Sequence, residues 1–159
     1  MGRVERSQLE RALADPSALV RRRALAVAAE TSLDVDLRPL LGDADPMVAE
    51  QAAWALGELG DVGAVDALVV AATHTDALVR EAAVAALGAL GDERGRAAIL
   101  AATEDKPAIR RRAVLALAPF DGPDIDRALA RAAEDADWQV RDAADVILDA
   151  RGAAPEGGP

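Results

Sequence analysis

The chain has 159 residues, of which 28 are acidic and 18 are basic, so its net charge is −10 at pH 7. This length suits one domain or one short repeat array. The acidic balance disfavours a nucleic-acid or anionic-membrane surface, because such surfaces need clustered Lys and Arg. The absence of cysteine excludes disulfides and cysteine-based nucleophiles or zinc sites. We find no apolar stretch of membrane length and no secretory signal, and therefore expect a cytoplasmic protein.

A helical sequence pattern recurs five times along the chain, about every 30 residues. Residues 48–61, VAEQAAWALGELGD, and residues 79–92, VREAAVAALGALGD, align without a gap. We number the positions of each copy from its leading residue, which is position 0. The leading residues are Val20, Val48, Val79, Ile109 and Val140. Positions 0, +4, +8 and +11 fall on one side of an α-helix, so each copy is predicted to be an amphipathic helix.

The apolar side of these helices is predicted to form the core. Position +4 is alanine in every copy, and a small residue there lets another helix approach closely. These alanines are Ala24, Ala52, Ala83, Ala113 and Ala144. Position +8 is occupied by Ala28, Leu56, Leu87, Leu117 and Leu148.

A shorter first helix is predicted before each copy. These first helices are expected at residues 4–14, 36–41, 63–72, 93–102 and 123–133. Asp15, Asp45, Asp76 and Asp137 precede four of the longer second helices and are predicted N-caps. Gly60 and Gly91 are predicted to end two second helices in the left-handed conformation.

The fourth copy departs from the pattern. Pro119 stands where the other copies have a leucine–glycine ending, and proline disfavours continued α-helix. This second helix is therefore predicted to end early, with Phe120 filling the position of a core leucine.

The sequence thus predicts an all-α fold of five helix pairs. The pairs are expected at residues 4–31, 33–60, 62–91, 93–120 and 123–151. One pair cannot bury its own apolar face, so neighbouring pairs are expected to stack into an α-solenoid. We predict one domain over residues 1–151 and a flexible Gly/Pro tail at 152–159.

Residues 76–92 follow the pattern Asp-x-x-Val-Arg-x-x-Ala-x-x-Ala-Leu-Gly-x-Leu-Gly-Asp, and residues 45–61 follow a weaker form of it. This pattern resembles the HEAT-like repeat of the phycobilisome-lyase (E-Z) type, and the resemblance spans nearly the whole chain. It implies an armadillo-like, right-handed superhelix. Such repeats serve as protein-binding scaffolds, bilin-lyase subunits, parts of hydroxylases and, more distantly, DNA-repair glycosylases. The resemblance therefore specifies a fold rather than a function.

The resemblance also implies that the second helices line the concave side of the array. Positions +2, +6 and +9 of these helices then face away from the core. From these positions we select the partner-binding residues Arg22, Glu50, Trp54, Glu81, Arg111 and Leu115. Trp54 is the foremost of them, because tryptophan is favoured at interface hot spots. The alternative interpretation of Trp54 is packing over Ala26 and Ala85.

An arginine recurs at position +1 in four copies, as Arg21, Arg80, Arg110 and Arg141. Its constant offset from nearby aspartates predicts ion pairs between repeats, with Asp61, Asp76 and Asp92 as the expected partners. A row of anion-binding arginines is the alternative.

The residues needed for catalysis are scarce in this sequence. There is one histidine, His74, and none of the three serines has a paired base visible in the sequence. The His-Glu pairs that hold iron in the hydroxylase relatives are missing, since Thr75 follows His74.

We therefore predict a noncatalytic scaffold, without cofactor or metal, that binds a protein or peptide of basic or mixed charge along the concave face. Nucleic-acid and membrane partners are not expected, and the oligomeric state is left open. The alternative, suggested by the resemblance alone, is a lyase-like subunit that handles a bilin chromophore.

Overall fold

A computed structural model describes residues 2–31 and 34–152, with side chains from residue 5 onward. All regular secondary structure in these ranges is helical, as predicted. The α-helices are α1 (Gly2–Leu13), α2 (Ala18–Thr31), α3 (Pro46–Glu58), α4 (Val65–Ala71), α5 (Ala77–Leu90), α6 (Arg96–Ala102), α7 (Pro107–Ala116), α8 (Pro123–Ala133) and α9 (Trp138–Gly152). Three 3₁₀ helices precede α3, α4 and α6, at Arg38–Gly42, Val62–Ala64 and Glu93–Gly95.

The helices form a stacked array of pairs. The second helices α2, α3, α5, α7 and α9 pack against one another in chain order. Each first helix packs on the second helix of its own pair. This arrangement is an α-solenoid, because each pair buries its apolar face against the neighbouring pairs. Of the predicted flexible tail, Gly152 belongs to α9 and residues 153–159 lie outside the described residues.

The first element of the second pair differs from the prediction. The sequence predicts a helix over 36–41, whereas the structure has a 3₁₀ helix at Arg38–Gly42. Pro39 supplies no N–H near its start, and five residues close too few α-helical hydrogen bonds to favour the wider helix. Leu41 is nevertheless buried in the core.

Three of the four predicted N-caps and both predicted left-handed glycines are confirmed. Asp15 is the exception, because α2 begins at Ala18 and the Asp15 side chain accepts the N–H of Ser17, which lies before the helix. The side chains of Asp45 and Asp76 accept hydrogen bonds from the backbone N–H groups of Met47 (2.9 Å) and Leu78 (2.8 Å). Asp137 accepts one from the N–H of Gln139 at 2.8 Å. Gly60 and Gly91 have φ values of +66° and +60°, in the left-handed region that glycine adopts without strain.

The early end of the fourth second helix is also confirmed. α7 ends at Ala116, three residues before Pro119. Phe120 follows with its side chain only 1% exposed, so it occupies the core as predicted.

The apolar core contains the predicted alanines. All five alanines at position +4 are buried, and so are four of the five residues at position +8. Leu148 is the exception at 40% exposed, because no described helix follows α9 and covers that side. Val20, the first leading residue, is 38% exposed for the corresponding reason at the other end of the array.

Position +9 is a helix contact at two repeats, which corrects the expectation that it faces freely outward. A Cβ atom added at Gly57 would lie 3.0 Å from Cα of Ala86. A Cβ atom added at Gly88 would lie 2.5 Å from Cβ of Ala116 and 2.7 Å from its Cα. Glycine at these positions lets consecutive second helices cross closely.

Candidate functional site

A groove of about 640 Å³ lies between α3 and α5. Glu50, Trp54 and Glu58 come from α3, where their spacing of four residues places them on one face of the helix. The opposite side is formed by α5, through Leu78, Glu81, Ala82, Ala85 and Ala89. We call this surface the Trp54 groove. Ala26 of α2 and Arg112 of α7 also contribute to its lining.

The position of Trp54 bears on both interpretations that the sequence left open. It shares the groove lining with Ala26 and Ala85, the small residues over which packing was considered. Its side chain nevertheless remains 48% exposed. A large aromatic surface is therefore available to a ligand in the groove.

The charged residues of the groove are mostly acidic. Glu50, Glu58 and Glu81 supply three carboxylates, and Arg112 supplies one cation. Arg112 Nη2 lies 3.6 Å from Glu81 Oε1. Among the described residues, Glu50 and Glu58 have no ion-pair partner, so the α3 side of the groove carries uncompensated negative charge.

The structure brings three of the six predicted site residues together. Glu50, Trp54 and Glu81 line the Trp54 groove. Arg22, Arg111 and Leu115 occupy the matching positions of α2 and α7, are partly buried, and lie outside the groove lining.

Two charged residues of the groove were missed from the sequence. Glu58 follows Trp54 by four residues, so helical spacing could have included it. Arg112 takes the place expected for Arg111, and this depends on how α7 packs against α5.

A second polar feature joins consecutive pairs on the same helices. Arg21 donates from Nε and Nη2 to Asp43 at 2.8 and 2.7 Å, and Arg80 donates to Asp105 at 2.7 and 2.9 Å. Arg110 donates in the same way to Asp135, at 2.8 and 2.7 Å. We call these three bidentate pairs the arginine ladder.

Pairing between repeats is therefore confirmed for three of the four arginines, but the predicted partners are wrong. Asp61, Asp76 and Asp92 accept backbone N–H groups at helix starts instead. The true partners lie in the loop before the next second helix, 22 to 25 residues further along the chain. Because the ladder carboxylates occupy the guanidinium donors, these three arginines are not free to form an anion-binding row.

Comparison with known families identifies the repeat. A family model described as HEAT repeats matches residues 6–69 and 35–109, which together cover more than half of the chain. The chain belongs to the HEAT repeat family. The match is to HEAT repeats in general, so the phycobilisome-lyase type stays a prediction. Curated proteins provide no match to this chain.

The arginine ladder of this HEAT array is interrupted between the second and third repeats. Ala49 occupies position +1 of α3, and His74 occupies the place of the ladder aspartate before α5. His74 Nδ1 accepts the N–H of Asp76 at 2.9 Å, just as Asp43 accepts the N–H of Asp45. The histidine thus retains the loop hydrogen bond, while the arginine and its carboxylate partner are both absent.

The ladder lowers the pKa of its carboxyl groups. Hydrogen bonds from Arg21, Arg80 and Arg110 hold the pKa values of their aspartates below the ordinary value, although partial burial opposes the shift. The same contacts raise the pKa of each arginine. The pairs therefore remain ionised at neutral pH and favour the stacked array.

A metal site needs a cluster of ligating side chains, and a membrane-spanning segment needs a long apolar helix. In residues 2–31 and 34–152, no group of three or more His, Asp or Glu side chains could hold a metal ion. None of the helices in the same ranges combines the length and the apolar character needed to cross a bilayer.

Proposed function

We propose that this HEAT repeat protein is a noncatalytic scaffold whose Trp54 groove binds a basic segment of a partner protein. The observation that carries the proposal is the position of Trp54. Its indole is half-exposed and lies one helical turn from Glu50 in one direction and from Glu58 in the other.

This arrangement suits the chemistry of an arginine or lysine side chain. A cation over an indole ring gains about 0.5–2 kcal/mol, depending on how far it is removed from water. Glu50 and Glu58 are near enough to the same ring to accept charge-assisted hydrogen bonds from that cation. Ala82, Ala85 and Ala89 leave the α5 side of the groove open for the aliphatic part of the partner's side chain.

The partner is proposed to extend beyond the Trp54 groove along the second helices. Arg22 on one side and Arg111 with Leu115 on the other occupy equivalent positions in the flanking repeats. A segment that crosses all of them would meet positive charge at its ends and negative charge in the middle. This charge pattern favours a partner of mixed sequence with its basic residues at the centre.

The alternative of a bilin-handling subunit rests on the repeat resemblance. A bilin carries propionate groups, which would meet the three carboxylates of the Trp54 groove. Like charges brought close together repel each other, so the groove favours the basic protein segment.

A peptide selection tests the proposal. A displayed library of random peptides, about 12 residues long, is selected on the full chain at about 0.1 M salt, where charge steering is still effective. The affinities of the selected peptides are then measured for the wild type and for Trp54→Ala, Glu50→Gln and Glu58→Gln variants. Trp138→Ala is the matched control, because Trp138 is also exposed but lies on α9, away from the groove.

We expect the selected peptides to be enriched in Arg and Lys and to lose at least about tenfold in affinity for Trp54→Ala, the loss of a typical hot spot. Glu50→Gln and Glu58→Gln should weaken binding less, and Trp138→Ala should have no effect. Peptides without basic enrichment, or peptides that bind Trp54→Ala as tightly as the wild type, contradict the proposal. Failure to select any peptide also contradicts it.

A further inference from the structure

The arginine ladder has an unpaired arginine at the C-terminal end of the described array. Arg141 lies at position +1 of α9, and its Nη1 donates to the carbonyl oxygens of Asp135 at 2.7 Å and Ala136 at 3.0 Å. Arg21 makes the equivalent bonds to Asp15 and Pro16, and uses its remaining donors for Asp43. Arg141 makes no ion pair with any described residue. Its backbone contacts therefore hold it in the ladder position without a carboxylate partner.

The missing half of this pair is found at the other end of the array. Asp15 accepts the N–H of Ser17 at 2.8 Å, as Asp43 accepts that of Asp45 and Asp135 that of Asp137. Asp43 and Asp135 also each accept an arginine from the preceding repeat. Asp15 has no arginine partner in the part of the chain that the structure describes. The two ends thus carry complementary halves of one ladder pair.

The two ends of the array also carry the separate halves of a second charge pair. Within the array, Glu81 at position +2 of α5 lies 3.6 Å from Arg112 at position +3 of α7. At the ends, position +2 of α9 is Asp142 and position +3 of α2 is Arg23. Both side chains are exposed, and neither forms an ion pair within the described ranges.

The N-terminal end also presents an apolar groove of about 920 Å³ between α1 and α2. Leu19 is 73% exposed there, and Val20 and Val27 are each 38% exposed. At the other four repeats, each of which packs on a preceding second helix, the residue at position 0 is at most 1% exposed. The opposite end offers Val146 and Leu148, which are exposed on α9. An exposed apolar patch of this kind typically marks an interaction site.

We propose that two copies of this chain associate head to tail, with α9 of one copy packed on the α1–α2 groove of the next. Arg141 then pairs with Asp15, and Asp142 pairs with Arg23, in the register of the internal junctions. The contact uses two different surfaces, so it leaves a free end on each copy and can extend into a chain of copies. Position +9 of α9 is Asp149, where two of the internal crossings have Gly57 and Gly88. The larger side chain makes the junction between copies weaker than those inside the array.

Sedimentation velocity of the full chain, from about 10 µM to about 1 mM, tests this proposal in the range expected for weak association. The variants are Arg23→Glu, Asp142→Arg, Asp15→Asn and Val20→Asp. All four side chains are at least partly exposed and none belongs to the core, so circular dichroism should show an unchanged fold. Asparagine at position 15 keeps an oxygen for the N–H of Ser17 while removing the charge.

We expect the wild type to form dimers and longer species with rising concentration. Arg23→Glu, Asp142→Arg and Val20→Asp should each weaken association at least tenfold, and Asp15→Asn should weaken it several-fold. An equal mixture of Arg23→Glu and Asp142→Arg should recover association, because a junction between the two variants joins opposite charges, whereas a junction between identical copies joins like charges.

A monomer at every concentration overturns the proposal. Association that stops at a dimer also overturns it, since a closed dimer requires the same surface on both copies. Association that survives Val20→Asp, or that is not recovered in the mixture, places the contact elsewhere and equally rejects the head-to-tail arrangement.

Discussion

The two junctions on either side of α5 are built differently. Between α5 and α7, Arg80 and Asp105 form a bidentate pair, and Gly88 allows a helix crossing in which a Cβ atom would lie 2.5 Å from Ala116. Between α3 and α5, alanine and histidine replace the arginine and the aspartate, and the crossing at Gly57 is looser, with a corresponding distance of 3.0 Å. The α3–α5 junction also carries the Trp54 groove.

Between consecutive described repeats, the arginine and the aspartate of a ladder pair are present together or absent together. Ala49 and His74 are 25 residues apart in sequence, yet the two halves of the pair are absent together. An arginine left without its carboxylate would be partly buried without compensation, and a lone aspartate would be as well. Consecutive junctions of a solenoid contribute separately to stability, so one can rely on apolar packing while its neighbour uses an ion pair.

The free energy of unfolding should differ most between the two junctions when the glycine at each helix crossing is replaced by alanine. Alanine gains up to about 1 kcal/mol over glycine in a helix interior. At Gly88 this gain is outweighed, because the new methyl group would collide with the backbone of Ala116. We expect Gly88→Ala to lower the free energy of unfolding by about 3 kcal/mol. Gly57→Ala should change it by about 1 kcal/mol or less. Urea unfolding followed by circular dichroism measures both, and equal effects would show that the two crossings are equally tight.

Removal of one ladder pair should have the next largest effect. Arg80→Ala leaves the partly buried carboxylate of Asp105 without its two charge-assisted hydrogen bonds. We expect a loss of about 2 kcal/mol in the same unfolding experiment. The control is Arg131→Ala, whose ion pair with Glu104 is exposed and long, at 3.4 Å, and whose loss should cost about 1 kcal/mol or less. Equal losses for the two variants would contradict a special role of the ladder.

The ladder also predicts how stability depends on pH. The hydrogen bond from Arg80 lowers the pKa of Asp105 in the folded state below its ordinary value of 3.8. Its contribution is therefore complete above about pH 4 and is lost as the pH falls through the lowered pKa. Asp105→Asn removes this titrating group. The stability difference between wild type and variant should shrink by about 1 kcal/mol between about pH 6 and about pH 2, measured by thermal unfolding. A difference that is constant with pH would exclude this linkage.

The smallest effect is expected when the missing pair is introduced at the α3–α5 junction. His74→Asp and Ala49→Arg together would recreate the pattern of the neighbouring repeats. Ala49 is fully buried, so the arginine alone should destabilise the array by disturbing its packing. The double variant should be more stable than the sum of the single effects predicts, by about 1 kcal/mol. A double-mutant cycle measures this coupling, and additive effects would show that the junction cannot accommodate the pair.

Much of the fold follows from short-range features of the sequence. The helical repeats, the buried alanines at position +4, three of the four aspartate caps, the left-handed glycines and the early end of α7 were predicted and confirmed. Each of these depends on helical periodicity or on hydrogen bonds between residues a few positions apart. Such features are determined before neighbouring repeats meet.

The tertiary structure decided which residues of different repeats meet. Periodicity gives the direction of a side chain around its own helix axis, but it does not give the offset between neighbouring helices. For this reason Arg80 was assigned to the wrong aspartate, Gly88 was expected on a free surface, and Arg111 was selected where Arg112 lines the groove. The sequence by itself determined the repeat and its local capping, whereas the packing of one helix on the next decided the ladder partners and the composition of the Trp54 groove.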